Sequence, residues 1–184
     1  MLSKKTTLAA IAGTVLSMLA SAPAALAAGS DGHGHGHGGA TGEPGKPGDV
    51  TTTINVTMYD NYYEPEEITV KEGETVRFVI TNAGRFVHEF NIATPDMHEA
   101  HGPEMMMMME HGVLMPDRID WAAAEAMQQS MGHGMHEEPN SLLLEPGQSG
   151  ELIWRFPDHA ELEFACNIPG HYDSGMVGNV MLTH

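Results

Sequence analysis

Apolar and polar residues alternate along two separate stretches of the chain, which is typical of strands that bury one face. In the first alternating segment, Ile54, Val56 and Met58 occupy every second position. The alternating segments are 54–58, 68–70, 75–82 and 87–92 in the first stretch, and 141–144, 150–156, 162–166 and 176–182 in the second. Asp60-Asn61, Glu72-Gly73-Glu74 and Glu145-Pro146-Gly147 are typical of turns. The pattern therefore predicts about eight short strands joined by tight turns.

The two stretches together have the size of one β domain. Residues 50–96 and 138–184 comprise 47 residues each. About 100 residues in seven or more short strands are typical of a Greek-key β-sandwich. We therefore predict an all-β fold of this kind, with one domain over residues 50–184 and an insertion at about 97–137.

The insertion breaks the strand alternation and is rich in Met, His, Ala and Glu. Asp117, after Pro116, is a candidate helix cap, and residues 119–129 contain alanines with high helix propensity. The insertion is therefore predicted to be partly helical. The glycines Gly132 and Gly134 indicate that the helix ends before Met135.

The N-terminal residues resemble a secretory signal peptide. Lys4 and Lys5 precede an apolar run over 8–20, and Ala25-Leu26-Ala27 is a candidate cleavage site. Residues 1–27 thus predict export to the periplasm. The run is too short for a spanning helix and no later segment resembles one, so no membrane span is expected in the mature chain. Residues 28–49, rich in Gly, His and Pro, are expected to form a disordered tail.

The charge balance narrows the classes of partner. The chain has 25 acidic and 8 basic residues, and its formal net charge is −17. Such a surface repels phosphate backbones and disfavours nucleic-acid binding. The acidic surface could instead attract a cationic protein partner, or it could simply maintain solubility.

Cys166, His171 and Met176 follow one another at intervals of five residues, and Cys166 is the only cysteine in the chain. A lone cysteine cannot form an intrachain disulfide, and metal ligation would protect it in an oxidising compartment. Thiolate, imidazole and a weak thioether are three of the four ligands of a blue copper site. His88 is the best candidate for the missing imidazole. Taken singly, each histidine could be an ordinary hydrogen-bonded residue, and Cys166 and Met176 could be core residues. The combination of the four favours copper binding.

Through these residues and one further segment, the chain resembles the cupredoxin family. The matching segments are Tyr63-x-Pro65-x-x-Ile68-Thr69-Val70-x-x-Gly73-x-Thr75-Val76, Val87-His88-Glu89-Phe90 and the loop from Cys166 to Met176. The resemblance implies one type 1 copper centre with ring nitrogens from His88 and His171, the thiolate of Cys166 and a long axial contact from Met176. A binuclear copper centre would need a second loop cysteine, which the sequence lacks.

The insertion and the tail contain further candidate ligands, because thioethers select cuprous copper and imidazoles bind copper in both oxidation states. In the insertion these are Met97, His98, His101, Met105 to Met109, His111, Met115, Met127, Met131, His133, Met135 and His136. In the tail they are His33, His35 and His37, whose imidazoles could hold Cu(II), Ni(II) or Zn(II) without specificity for copper. The alternatives are that the methionines pack on the sandwich or form flexible filler, and that the tail is a low-complexity linker.

Two classes of function remain. A soluble periplasmic electron carrier needs a single site, whereas additional Met- and His-rich segments are expected in a periplasmic protein of copper tolerance that binds, buffers or oxidises copper. The sequence favours the second class and resembles copper-tolerance cupredoxins. A cuprous oxidase would be an enzyme, but it requires an acceptor that the sequence does not name. Copper ions are the expected partners, together with a redox or copper-trafficking protein.

Overall fold

The computed structural model describes residues 38–132, 135 and 138–184. The predicted signal peptide and the tail histidines His33, His35 and His37 lie outside these residues, as do His133 and His136. Among the described residues, no helix combines the length and apolar character needed to cross a membrane.

Within the described part of the chain, ten strands form two five-stranded sheets. The strands are β1 Glu43–Pro44, β2 Thr52–Tyr59, β3 Tyr62–Glu64, β4 Glu67–Lys71, β5 Thr75–Asn82, β6 His88–Ala93, β7 Ser141–Leu144, β8 Ser149–Arg155, β9 Leu162–Ala165 and β10 Val177–Thr183. One sheet has the order β1-β8-β5-β2-β3 and the other β4-β10-β9-β6-β7. Strands β2 and β5 are parallel, as are β4 and β10, and the remaining pairs are antiparallel. The predicted β-sandwich with a partly helical insertion is confirmed.

Aromatic side chains from both sheets fill the space between them. Phe78 of one sheet lies 5.3 Å, centroid to centroid, from Phe90 of the other. Phe90 lies 5.3 Å from Phe164, and Tyr63 lies 5.0 Å from Phe164. All four side chains are fully buried. Tilted and edge-on contacts of this kind add to the area that the rings bury, so this cluster fixes the two sheets against each other.

The ordered chain begins before residue 50. Residues 38–49 contain a short helix, α1 (Gly38–Thr41), strand β1 and a 3-10 turn, in contrast to the predicted disordered tail. Strand β1 pairs with the edge strand β8, and the carbonyl of Thr41 accepts a 2.8 Å hydrogen bond from Trp154 Nε1. The pattern did not reveal this, because the segment is held by contacts more than 100 positions away rather than by its own apolar residues.

The insertion forms two helices, α2 (Pro95–Glu110) and α3 (Trp121–Met131). The Thr94 hydroxyl caps α2 by accepting from Met97 N at 3.3 Å. Asp120, rather than Asp117, caps α3 by accepting from Ala123 N, because residues 114–119 form a short bridge first. Gly132 adopts a left-handed conformation (φ 72°) and ends α3, so Met135 lies outside the helix as expected.

Candidate metal centre

Three chain segments meet at one end of the sandwich. His88 is the first residue of β6, Cys166 follows the last residue of β9, and Met176 precedes β10. Strand β9 lies between β6 and β10 in the sheet, so these strand ends are neighbours. The loop between Cys166 and Met176 contains His171. The four residues that the sequence predicted as ligands are therefore placed at one end of the fold.

Three candidate donor atoms surround one point. Nδ1 of His171 lies 3.3 Å from Cys166 Sγ, and Nδ1 of His88 lies 3.8 Å from the same sulfur. All three donor atoms lie within 4.8 Å of one another. Bonds of about 2.0–2.3 Å to a first-row metal at open angles place neighbouring donors roughly 3.3–3.9 Å apart. The arrangement fits a single metal ion, and one thiolate with two imidazoles is a donor set suited to copper.

Met176 is held by the same loop. Its backbone N–H donates to the His171 carbonyl at 3.0 Å, and its carbonyl accepts from Cys166 N at 3.2 Å. The side chain is fully buried. These bonds close the loop and place Met176 next to Cys166, which is compatible both with an axial ligand and with a core position.

Asp60 orients the ring of His88. Its Oδ1 lies 3.1 Å from His88 Nε2, which leaves Nδ1 directed toward Cys166. The same oxygen accepts from Arg85 N at 2.8 Å. A Cβ on Gly84 would lie 2.8 Å from His88 Nε2, so this position accepts only a glycine without displacement of the ring. Sequence reasoning missed Asp60, whose only signal was its place in a predicted turn.

A buried carboxylate, that of Glu89, lies near the thiol. Glu89 N donates to Cys166 Sγ at 3.3 Å, and the Glu89 side chain is 1% exposed. Its carboxylate accepts from Asn167 N at 3.1 Å, Asn167 Nδ2 at 2.8 Å and Ser141 Oγ at 2.5 Å. His101 of α2 lies 3.7 Å from it. Glu89 thereby connects the loop with the insertion, a role that the sequence did not reveal.

Burial sets the protonation of the candidate ligands. It lowers the pKa of His171 to about 4, with a further contribution from His88, and it lowers the pKa of His88. Both imidazoles are therefore neutral near pH 7, with lone pairs that can bind a metal. Burial raises the pKa of the Cys166 thiol to about 12. A cation at the shared point would supply the charge that favours the thiolate.

Comparison with known proteins places this chain in a family. A model of the cupredoxin-like domain matches residues 41–101. The copper-resistant cuproprotein CopI of Pseudomonas aeruginosa is 45% identical over 151 residues, which cover 77% of this chain and 81% of the relative. The CopI of Rubrivivax gelatinosus is 38% identical over 142 residues, which cover 77% and 72%. The chain belongs to the CopI family.

Solved structures agree on the fold of this CopI-family chain. An auracyanin from Roseiflexus castenholzii superposes with a TM-score of 0.52 at 20% identity, over 73% of this chain and 99% of the auracyanin. Auracyanin B superposes with a TM-score of 0.52 at 19% identity, over 79% and 96%. At this identity the likeness establishes the fold alone.

In the CopI-family chain, the insertion lies against the candidate metal loop. Nδ1 of His98 on α2 lies 3.1 Å from Asn167 Oδ1, and the His98 ring lies 5.6 Å from the Tyr172 ring. A groove of about 480 Å³ separates the two segments and is lined by Gly102, Met106, Pro169 and Tyr172, among others. The predicted accessory histidine His98 therefore faces the loop that carries the candidate ligands, whereas His101 pairs with Glu89 and Glu104.

The methionines of the insertion divide into two groups. Met105 and Met108 are 1% and 3% exposed and belong to the hydrophobic core, whereas Met106 and Met109 are 45% and 40% exposed. On α3, Met127 is buried and Met131 is exposed. The buried methionines therefore fit the packing alternative. The exposed methionines remain accessible as candidate ligands.

Proposed function

We propose that this CopI-family chain is a periplasmic copper-resistance protein with one type 1 copper centre. His88, Cys166 and His171 would supply the equatorial donors and Met176 the axial contact. The observation that carries the proposal is the convergence of the three donor atoms, from positions up to 83 residues apart, on one point. The relatives bear the name copper-resistant cuproprotein, which supports a role in copper resistance.

The residues around the ligands would hold the site rigid. Asp60 fixes the ring of His88, the Glu89 N–H donates to the sulfur, and the Met176 backbone closes the loop. Bound copper supplies a one-electron couple at such a site. Because strands and buried hydrogen bonds position the donors, little rearrangement is needed between oxidation states. The signal-like residues 1–27 support a periplasmic location.

Two variants test the centre. Cys166→Ser replaces the thiol by a hydroxyl of similar shape, so the protein should lose the strong visible absorption that arises from thiolate-to-copper charge transfer. Met176→Leu should keep copper and colour but shift the reduction potential, because the axial bond is long and weak. Absorption spectroscopy and metal analysis of the mature protein measure both. A coloured Cys166→Ser protein would contradict the assignment.

The surface next to His171 favours a second candidate function, soluble electron transfer. Phe86 is 44% exposed and its ring lies 6.4 Å from the partly exposed ring of His171. An apolar residue beside an accessible ligand would suit docking of a redox partner. In that case the insertion would serve packing alone, and loss of the protein would impair electron flow rather than copper tolerance.

The exposed methionines of α2 support additional copper binding in the copper-resistance role. Met106 and Met109 are three residues apart and therefore share a face of the helix. Met106 also lines the groove beside the metal loop. We propose that this face binds cuprous ions, because thioethers prefer Cu(I).

A further inference from the structure

Three side chains meet at the end of the sandwich opposite the candidate copper centre. Glu72 lies in the turn between β4 and β5, His159 in the loop between β8 and β9, and His184 directly after β10. The parallel pairing of β4 with β10 places Lys71 opposite Thr183, so the residues that follow these positions are neighbours. The copper ligands lie at the other ends of β9 and β10.

The three side chains share one carboxylate. Nδ1 of His159 lies 2.8 Å from one oxygen of Glu72, and Nδ1 of His184 lies 2.9 Å from the other. The two rings have centroids 5.4 Å apart. One ligand atom from each residue lies within 4.8 Å of the other two. The histidines are exposed and Glu72 is partly buried, so the cluster is open to solvent on one side.

Backbone contacts hold the cluster together. Glu72 N donates to the Thr183 carbonyl at 2.9 Å, which ties the turn to the end of β10. His159 N donates to the Glu72 carboxylate at 3.3 Å, and His159 has a φ of 55°, in the left-handed region that non-glycine residues rarely adopt. The loop thus adopts an uncommon backbone conformation at the residue that meets Glu72.

We propose that Glu72, His159 and His184 form a second metal site, which binds a divalent transition cation such as Zn(II) or Cu(II). Imidazole nitrogen and carboxylate oxygen suit these ions, and the absence of sulfur from the three donors disfavours Cu(I). Bonds of about 2.0–2.2 Å at angles near 90–110° place adjacent donors roughly 2.8–3.6 Å apart. The two nitrogen–oxygen separations, 2.8 and 2.9 Å, lie at the short end of this range. Each imidazole would bind through Nδ1 and carry its proton on Nε2, and water would complete the open side.

The site differs in chemistry and position from the copper centre, and it does not depend on the proposed function. Its ligands come from three segments that a metal ion would tie together at the end of the fold: the β4–β5 turn, the β8–β9 loop and the residue after β10. We therefore expect metal binding here to stabilise this end of the sandwich in addition to capturing the ion.

An NMR titration resolves this site from other metal-binding segments of the chain. Zn(II) is added to the full mature protein loaded with Cu(I), which is diamagnetic and occupies the copper centre. The ring signals of His159 and His184 should shift together along one binding curve. Glu72→Gln should weaken that curve at least tenfold, since it removes the shared anionic ligand. Glu161→Gln, which neutralises an exposed carboxylate in the same loop as His159, is the matched control and should leave the curve unchanged.

Three outcomes would overturn the proposal. The first is the absence of a shift at Zn(II) concentrations that saturate other histidines of the protein. The second is a shift of only one ring, which would indicate an independent surface histidine. The third is a pair of shifts that Glu72→Gln leaves intact, since the carboxylate would then serve only as an ion-pair partner. The variant His159→Gln is a second test of the shared site. It should weaken the Zn(II)-induced shift of the His184 ring signals, because it removes one of the three ligands.

Discussion

At the scale of single residues, the candidate copper site depends on groups that are not ligands. Asp60 accepts from His88 Nε2 and from Arg85 N with one oxygen, so it fixes both a ring and the loop beside it. Partners of this kind set the tautomer of a ligating histidine. The sequence predicted His88 as a candidate ligand but gave no sign of the group that orients it.

Asp60→Ala should therefore lower copper affinity by about 10–100-fold, the usual effect of removing such a partner. Asp60→Asn retains an acceptor oxygen at the same position and should keep most of the affinity. Competition with a copper chelator, followed through the visible charge-transfer band, measures both. Equal affinity in the alanine variant and the wild-type protein would show that His88 is oriented by packing alone.

His101 also acts at the residue scale, by pairing the insertion with the buried Glu89. Burial opposes the charged imidazole, but pairing with the carboxylates of Glu104 and Glu89 outweighs it and raises the pKa of His101 to about 10. The stabilisation is fully present below the unfolded pKa of about 6.5 and is lost as pH rises through 10. At neutral pH the ring is charged and balances the carboxylate beside the thiol.

We therefore expect His101→Gln to reduce the free energy of unfolding by about 1–3 kcal/mol at pH 6, and by progressively less toward pH 10. Urea unfolding of the mutant and wild-type proteins at pH 6, 8 and 10 gives the difference directly. His111→Gln changes an exposed histidine just after α2 and is the control. A pH-independent difference for His101→Gln would mean that the ring contributes by packing rather than by charge.

At the scale of elements, α2 carries buried and exposed methionines. Met105 and Met108 belong to the core, whereas Met106 and Met109 are exposed to solvent, and Met106 lines the groove beside the candidate metal loop. Five consecutive methionines thus do not act as one unit. A helix divides them, because neighbouring positions point in directions about 100° apart.

The double variant Met106→Leu/Met109→Leu should lower the amount of Cu(I) bound without loss of the type 1 colour, since leucine keeps the apolar volume but removes sulfur. The double variant Met105→Leu/Met108→Leu, which changes the two buried methionines of the same run, is the matched control. It should leave copper binding unchanged and alter stability by less than about 1.5 kcal/mol. Anaerobic titration with Cu(I) distinguishes them. If both variants bound the same number of Cu(I) ions per protein, the five methionines would serve packing alone.

At the scale of the whole molecule, the net charge, the insertion and the His-rich tail help to distinguish a role in copper resistance from one in electron transfer. The chain has a formal net charge of −17. It carries one candidate copper centre, exposed methionines on α2 and a His-rich tail. An electron carrier needs only the first of these. Acidic surfaces also attract cations, which suits a protein that captures copper ions.

A strain that lacks this gene should therefore grow normally at low copper and poorly at high copper. Complementation with the Cys166→Ser protein separates the roles. Rescue would mean that binding by the Met- and His-rich segments suffices, and failure would mean that the redox centre is required. Growth curves across copper concentrations measure this. Loss of respiratory electron flow without copper sensitivity would favour the electron-carrier alternative.

The sequence alone predicted the elements that local pattern encodes. Alternation located eight of the ten strands, because side chains of a half-buried strand must alternate between core and solvent. The spacing of Cys166, His171 and Met176 predicted the candidate ligand loop, since all three lie within one short segment. Turn residues such as Gly73, with a φ of 70°, were identified because few other residues tolerate that conformation.

The tertiary structure decided what depends on partners distant along the chain. Strand β1 forms by pairing with β8, and the clusters around Asp60, Glu89 and Glu72 join residues from segments far apart in the sequence. A lone polar residue carries no periodic signal, so its role is visible only when the fold supplies its neighbours. The helix α2 was missed for a local reason: Gly102 and Pro103 oppose a helix, and capping by Thr94 together with burial of one face outweighs them.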